Sequence, residues 1–113
     1  MTQPVLNSDR AIAANLKNKT KHCNIILPAE NLSTNVKKSD VEVERTDGLA
    51  ITVDSAKAVL GAVSWVLIIK TKQIPKRMRF GDSEEITVTV TNPDTGEISD
   101  PSDPIEVVYF EEQ

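Results

Sequence analysis

Residues 86–91 read Ile-Thr-Val-Thr-Val-Thr, and this strict apolar/threonine alternation at a period of two predicts a strand with one inward face. Asn-Pro-Asp-Thr-Gly follows at 92–96 and predicts a β-turn, because Pro93 presets one φ and Gly96 supplies a positive one. Ile-Glu-Val-Val-Tyr-Phe at 105–110 predicts a closing strand. Earlier in the chain, residues 22–27 put Cys23, Ile25 and Leu27 on one face, and Pro28, which lacks a ladder donor, is expected to stop the run. Val41 and Val43 alternate with Glu42 and Glu44, and Asp47-Gly48 predicts a hairpin into residues 49–53, with Leu49, Ile51 and Val53 inward. Residues 56–63 are small and apolar and fit a helix or a strand, Gly61 favouring an irregular strand or a turn. Residues 65–69 are apolar throughout, the pattern of a central strand covered on both faces.

These runs predict an all-β sandwich of six to seven antiparallel strands with no long helix. Its expected core is Ile25, Leu27, Val43, Ile51, Val53, Trp65, Leu67, Ile69, Ile86, Val88, Val90, Val107 and Tyr109. Residues 1–20 differ, with Pro4, three asparagines (Asn7, Asn15, Asn18) and Ala-Ile-Ala-Ala at 11–14, which fits a short helix capped by Asp9 or a loose strand. They are expected to form an N-terminal arm that docks on the domain, residues 21–113, or on a neighbour.

Length and composition narrow the picture. A chain of 113 residues closes one core, and its hydrophobic fraction of 39% is rich in Val and Ile, with Trp65, Phe80, Tyr109 and Phe110 the only aromatics. One Cys and one His cannot build an internal disulfide, a zinc cluster or an iron–sulfur site. No basic-then-apolar leader opens the chain, so synthesis in the cytoplasm without export is expected. The longest apolar run, residues 59–69, is broken by Gly61 and Ser64 and falls short of the about 20 residues of a membrane span.

Charge is unevenly spread. Residues 1–79 hold all 13 Lys and Arg against 7 acids, whereas residues 80–113 hold 10 acids and no Lys or Arg, so a net of +6 is followed by one of −10. The asymmetry predicts basic and acidic regions lying together within one subunit, or head-to-tail contact with another subunit or a charged partner.

Three strings carry a family likeness: Ala-Glu-Asn-Leu at 29–32, Val-Thr-Val-Thr-Asn-Pro-Asp at 88–94 and Val-Val-Tyr-Phe at 107–110. Read from residue 20 to 112, their order resembles the IPT/TIG branch of immunoglobulin-like domains. The resemblance implies an immunoglobulin-like β-sandwich of the kind used as spacer or binding module in surface receptors, glycan-handling proteins, some transcription factors and phage particles. Such a fold hosts many functions and dictates none.

Candidate chemistry is sparse. His22 and Cys23 are neighbours, but adjacent strand residues point to opposite faces, so a thiolate–imidazolium pair is not expected. Asp-Thr-Gly at 94–96 copies the string of aspartic proteases once, after Asn92-Pro93, and reads as a turn. Asp94, Glu97, Asp100 and Asp103 share one loop and are oxygen ligands of the type calcium takes, without the spacing of an EF-hand. Lys70, Lys72, Lys76, Arg77 and Arg79 place five cations among residues 70–79 with no acid. They suit an acidic partner surface, and overall acidity and the absence of interleaved aromatics argue against nucleic acid. Thr87, Thr89 and Thr91 form an outward row suited to a neighbouring sheet, arm or subunit.

The resulting expectation is a non-enzymatic structural module without cofactor or metal, oligomeric in assembly. Without an export signal, an immunoglobulin-like module fits a bacteriophage virion component, a capsid decoration or tail protein contacting other virion proteins or copies of itself. The alternative is a glycan- or cell-surface-binding module. The expected interaction surface is Lys70, Lys72, Lys76, Arg77, Arg79, Thr87, Thr89 and Thr91.

Overall fold

The computed structural model describes residues 3–16, 22–72 and 84–110. Its strands are β1 (Val5–Leu6), β2 (Ile12–Leu16), β3 (His22–Glu30), β4 (Val41–Arg45), β5 (Ala50–Ile51), β6 (Val53–Leu60), β7 (Trp65–Lys72), β8 (Glu84–Val90) and β9 (Ile105–Phe110). They hydrogen-bond in the order β5–β4–β8–β9–β2–β3–β7–β6, and β1 pairs with β3 beyond the end of β2. The two ends of that order, β5 and β6, are consecutive in the chain with only Thr52 between them. One run therefore pairs first with β4 and then with β7, and it curls the sheet into a nearly closed barrel. The all-β expectation holds, but among the described residues the strands number nine, and β2 runs parallel to β9 while every other pairing there is antiparallel.

Alternation decides the inside. Cys23, Ile25, Leu27 and Ala29 of β3 are buried, as are Val41 and Val43 of β4, Leu67 and Ile69 of β7, and Ile86, Val88 and Val90 of β8. Each Val, Leu or Ile so buried contributes about 1.5–3 kcal/mol. Val53 and Trp65 pack on this core only partly buried, and Leu49 is exposed because it sits in the hairpin turn and not in its second strand. The side chain of Tyr109 lies outside the described residues.

Two further expectations are corrected. Pro28 does not stop β3, which runs on to Glu30. The Pro28 carbonyl accepts from the Asn7 N–H at 2.8 Å, so its donorless nitrogen faces the same side, where the chain between β1 and β2 makes a 3-10 turn at Ser8–Arg10. No ladder bond to β7 is lost there. Residues 65–69 are not covered on both faces, since Trp65, Val66 and Ile68 alternate half-exposed with buried Leu67 and Ile69. In the segment expected as an arm, the strand alternative forms: β1 pairs with β3, and β2 bridges β3 and β9. Phe-Gly-Asp at 80–82, whose composition predicts a turn, lies outside the described residues.

At the hairpin joining β4 and β5, Gly48 takes φ +98°, and its N–H donates to the Arg45 carbonyl at 2.8 Å. The Arg45 guanidinium forks onto Asp47 at 2.8 and 2.7 Å and braces the turn. The turn expected after β8 forms at residues 93–95, with Gly96 at φ +77° donating to the Asn92 carbonyl at 2.7 Å. Between this turn and β9, two buried serines replace strand pairing. The Val88 N–H donates to Ser102 Oγ at 2.9 Å, while the Ser102 N–H donates to the Val88 carbonyl at 2.8 Å. Val90 and Ser99 repeat the exchange at 3.0 and 2.8 Å. Side-chain oxygens thus satisfy β8 donors that a segment containing Pro101 and Pro104 meets without a regular ladder.

Candidate interaction surface

Lys70 and Lys72 stand on the outer face of β7. Lys70 lies beside Asn24 of β3 and Ser55 of β6, and Lys72 beside His22. At a bulge in β6, Asp54 meets both ends of this corner, with Oδ1 at 3.5 Å from Lys72 Nζ and Oδ2 at 3.2 Å from His22 Nε2. Oδ2 is sealed from solvent and has no well-aligned hydrogen bond, so its contact with His22 is electrostatic and strongest when the imidazole is protonated. Lys76, Arg77 and Arg79 lie outside the described residues.

The threonines are elsewhere. Thr87 and Thr89 project from the outer face of β8, half-buried, with Glu44 and Glu42 of β4 as direct cross-strand partners. Glu85 and Glu106 pair across β8 and β9 on the same side. Thr91 forms a bridge to Ile98 just past the strand. Round the barrel, β7 is separated from β8 by β9, β2 and β3 one way, and by β4 and the 50–60 run the other. The structure therefore places Lys70 and Lys72 on the opposite side from the threonines and does not bring these described members of the expected surface together.

Loops at one end of the barrel form a third polar region. Asp94 accepts from Ser33 Oγ and, at 2.9 Å, from Asn35 Nδ2, while the Asn92 side chain donates to the Asn31 carbonyl at 2.9 Å. The Ser33 hydroxyl first, and the Asn35 amide second, hold the Asp94 carboxyl below the usual aspartate range. Asn31, at φ +62°, turns the chain out of β3, and Gln3 reaches Asp100 at 3.1 Å. Asp94 and Asp100 are thus spent on joining loops, and among the described residues no three His, Cys, Asp or Glu side chains converge as metal ligands.

Cys23 and His22 point to opposite faces. Burial pushes the Cys23 thiol up to about 12, against a smaller lowering by the Thr71 hydrogen bond. Where β4 and β6 leave the barrel incompletely closed, a shallow groove of about 600 Å³ runs past Lys38, Val41, Val43, Ala50, Ile51 and Val53. Trp65, the chain's one tryptophan, packs against the core instead of standing free as a platform for a flat ligand.

Sequence reasoning read Glu42 and Glu44 of β4 as alternating with Val41 and Val43 but left them out of the expected surface, because only the β4–β8 pairing sets them beside Thr89 and Thr87. It also missed Ile12 and Ile26, exposed on the same side as Lys70, because only the β2–β3–β7 pairing brings them together. Among the described residues, no helix is long and apolar enough to cross a membrane. In comparison with known proteins, the chain matches no family model, no curated protein and no solved structure.

Proposed function

We propose that this chain is an immunoglobulin-like β-sandwich module acting as a non-enzymatic structural component of a bacteriophage virion, a capsid decoration or tail protein working through protein–protein contacts. Strand order supports the fold reading: β1 and β2, β3, β7 and β6 follow one another on one side, and β4, β8 and β9 on the other. That is the grouping of strands A, B, E, D and C, F, G in an immunoglobulin sandwich. The particular IPT/TIG likeness rests on the strings at 29–32, 88–94 and 107–110.

One observation carries the assembly reading. The two outer faces differ in charge, Lys57 and Lys70 on one and Glu42, Glu44, Glu85 and Glu106 on the other, and among the described residues none of these six has an ion-pair partner. Unspent charge of opposite sign on opposite faces suits a part that is built in between neighbours.

The test is fractionation of a lysate from the source that encodes the chain. The chain is expected to band with intact particles in a density gradient at a fixed copy number per particle, measured by quantitative peptide mass spectrometry. Recovery only in the soluble fraction overturns the proposal.

A further inference from the structure

We infer that the outer face of β2, β3, β7 and β6 in one copy docks on the outer face of β4, β8 and β9 in the next, a head-to-tail contact between copies of this chain. The inference deepens the assembly reading and rests on it.

The first face has an apolar row with a basic border. Ile12 pairs with Ile26, Ile26 with Ile68, and Ile68 with Lys57, so three isoleucines and a lysine line up across four adjacent strands. Ile12 is 58% exposed and Ile26 43%. With Ile68 half-buried between Ile26 and Lys57, the row forms a continuous apolar strip that suits a contact surface. Lys70 stands one pleat along β7 from Ile68, and the next row toward the loop end, Pro28, Val66 and Val59, is again apolar.

The second face is its complement. Thr87 and Thr89 present methyl groups and hydroxyls between glutamates, Glu44 and Glu42 beside them on β4, and Glu85 and Glu106 toward β9. Two outward residues of one strand lie about 7 Å apart, the Glu42 to Glu44 spacing. Lys57 and Lys70, offset by one strand and one pleat, lie about 8 Å apart by the same geometry. Both lysines therefore reach both glutamates when the isoleucine row sits over the threonines.

Symmetry follows from the charges. A two-fold contact of the isoleucine faces brings none of Glu42, Glu44, Glu85 and Glu106 to Lys57 and Lys70, whereas a contact between unlike faces pairs opposite charges. Unlike faces on opposite sides of one chain generate a ring or a filament. The apolar face measures about 19 by 17 Å, roughly 320 Å², against about 800 Å² per partner in a standard interface, so contact between two free copies is weak and strengthens in an assembly.

Two charge-inverted proteins test this, Lys57→Glu/Lys70→Glu and Glu42→Lys/Glu44→Lys. All four side chains are exposed, so folding is retained, and a cooperative thermal transition checks it. By sedimentation velocity at low salt, the unaltered chain is expected to form oligomers beyond a dimer as concentration rises, and these dissociate at about 1 M salt, where screening acts within about 3 Å. Each variant alone self-associates at least about a hundredfold more weakly, because like charges then meet. An equimolar mixture of the two regains oligomers, since every contact again joins opposite signs.

A monomeric unaltered chain at every concentration overturns the inference, as does a Glu42→Lys/Glu44→Lys protein that associates as before. A chain found in particles yet monomeric in solution loses this interface and keeps the assembly reading. A self-associating chain absent from particles does the reverse.

Discussion

The half of the barrel built from β2, β3, β7 and β6 and the half built from β4, β8 and β9 share one kind of interior and differ in everything else. Inside, both present buried Val, Leu and Ile on alternate residues. Outside, the first is apolar and basic and the second acidic with threonines. Their backbones differ too: β3 and β7 pair without interruption from His22 to Ala29, whereas β8 pairs with β9 only over Glu84 to Ile86 and then relies on Ser99 and Ser102. Burial constrains the inward residue at each position, while the outward one is free to carry contacts.

If the two interiors are equivalent, cutting each should cost the same. Leu67→Ala and Ile86→Ala, both at fully buried positions, are each expected to lose about 2–5 kcal/mol in urea unfolding, and a difference of more than about 2 kcal/mol would show that one half dominates stability. The serine exchange is the next largest effect. Ser102→Ala leaves the Val88 N–H buried without an acceptor, at an expected cost of about 1–3 kcal/mol, and hydrogen exchange at Val88 should accelerate while exchange in the β3–β7 ladder is unchanged.

A smaller effect is confined to acid. Because the folded carboxyl of Asp94 titrates below its unfolded value of about 3.9, its contribution is complete above that value and is lost as pH falls toward the depressed one. Ser33→Ala should return the carboxyl toward 3.9 in an NMR titration and remove that share of the acid sensitivity. Smallest of all, Thr89→Val on the outer face should change stability by no more than about 0.5 kcal/mol, and a larger loss would mean that the acidic half uses its outer face to fold.

What could be read from the chain follows the range of the interactions. The alternation of β8, the inward Cys23, Ile25 and Leu27, the paired Val41 and Val43 and the Asp47-Gly48 hairpin are local signals and appear as read. Residues 12–16 carry no such signal. Their strand exists because Ala13 finds Ile25 on one side and Val107 on the other, partners far apart in sequence. Pro28 was misleading for the same reason, since its tolerance depends on which neighbour its nitrogen faces. At the candidate surface, residue types identified Lys70 and Thr87 as outward, but only strand order reveals that they occupy opposite sides.

The parallel pairing of β2 with β9 also bears on how the protein carries load. The chain enters β2 at one end of the barrel and leaves β9 at the other, so tension applied through its two flanks pulls these neighbours past each other along their length. The bonds between them, evenly spaced in a parallel ladder, are then strained together in shear, whereas the β4–β5 hairpin, pulled from its open end, would unzip one bond at a time. Once the two-residue β1 has parted from β3, a subunit held at both flanks would resist stretching through the strand that its own alanine-rich sequence announces least.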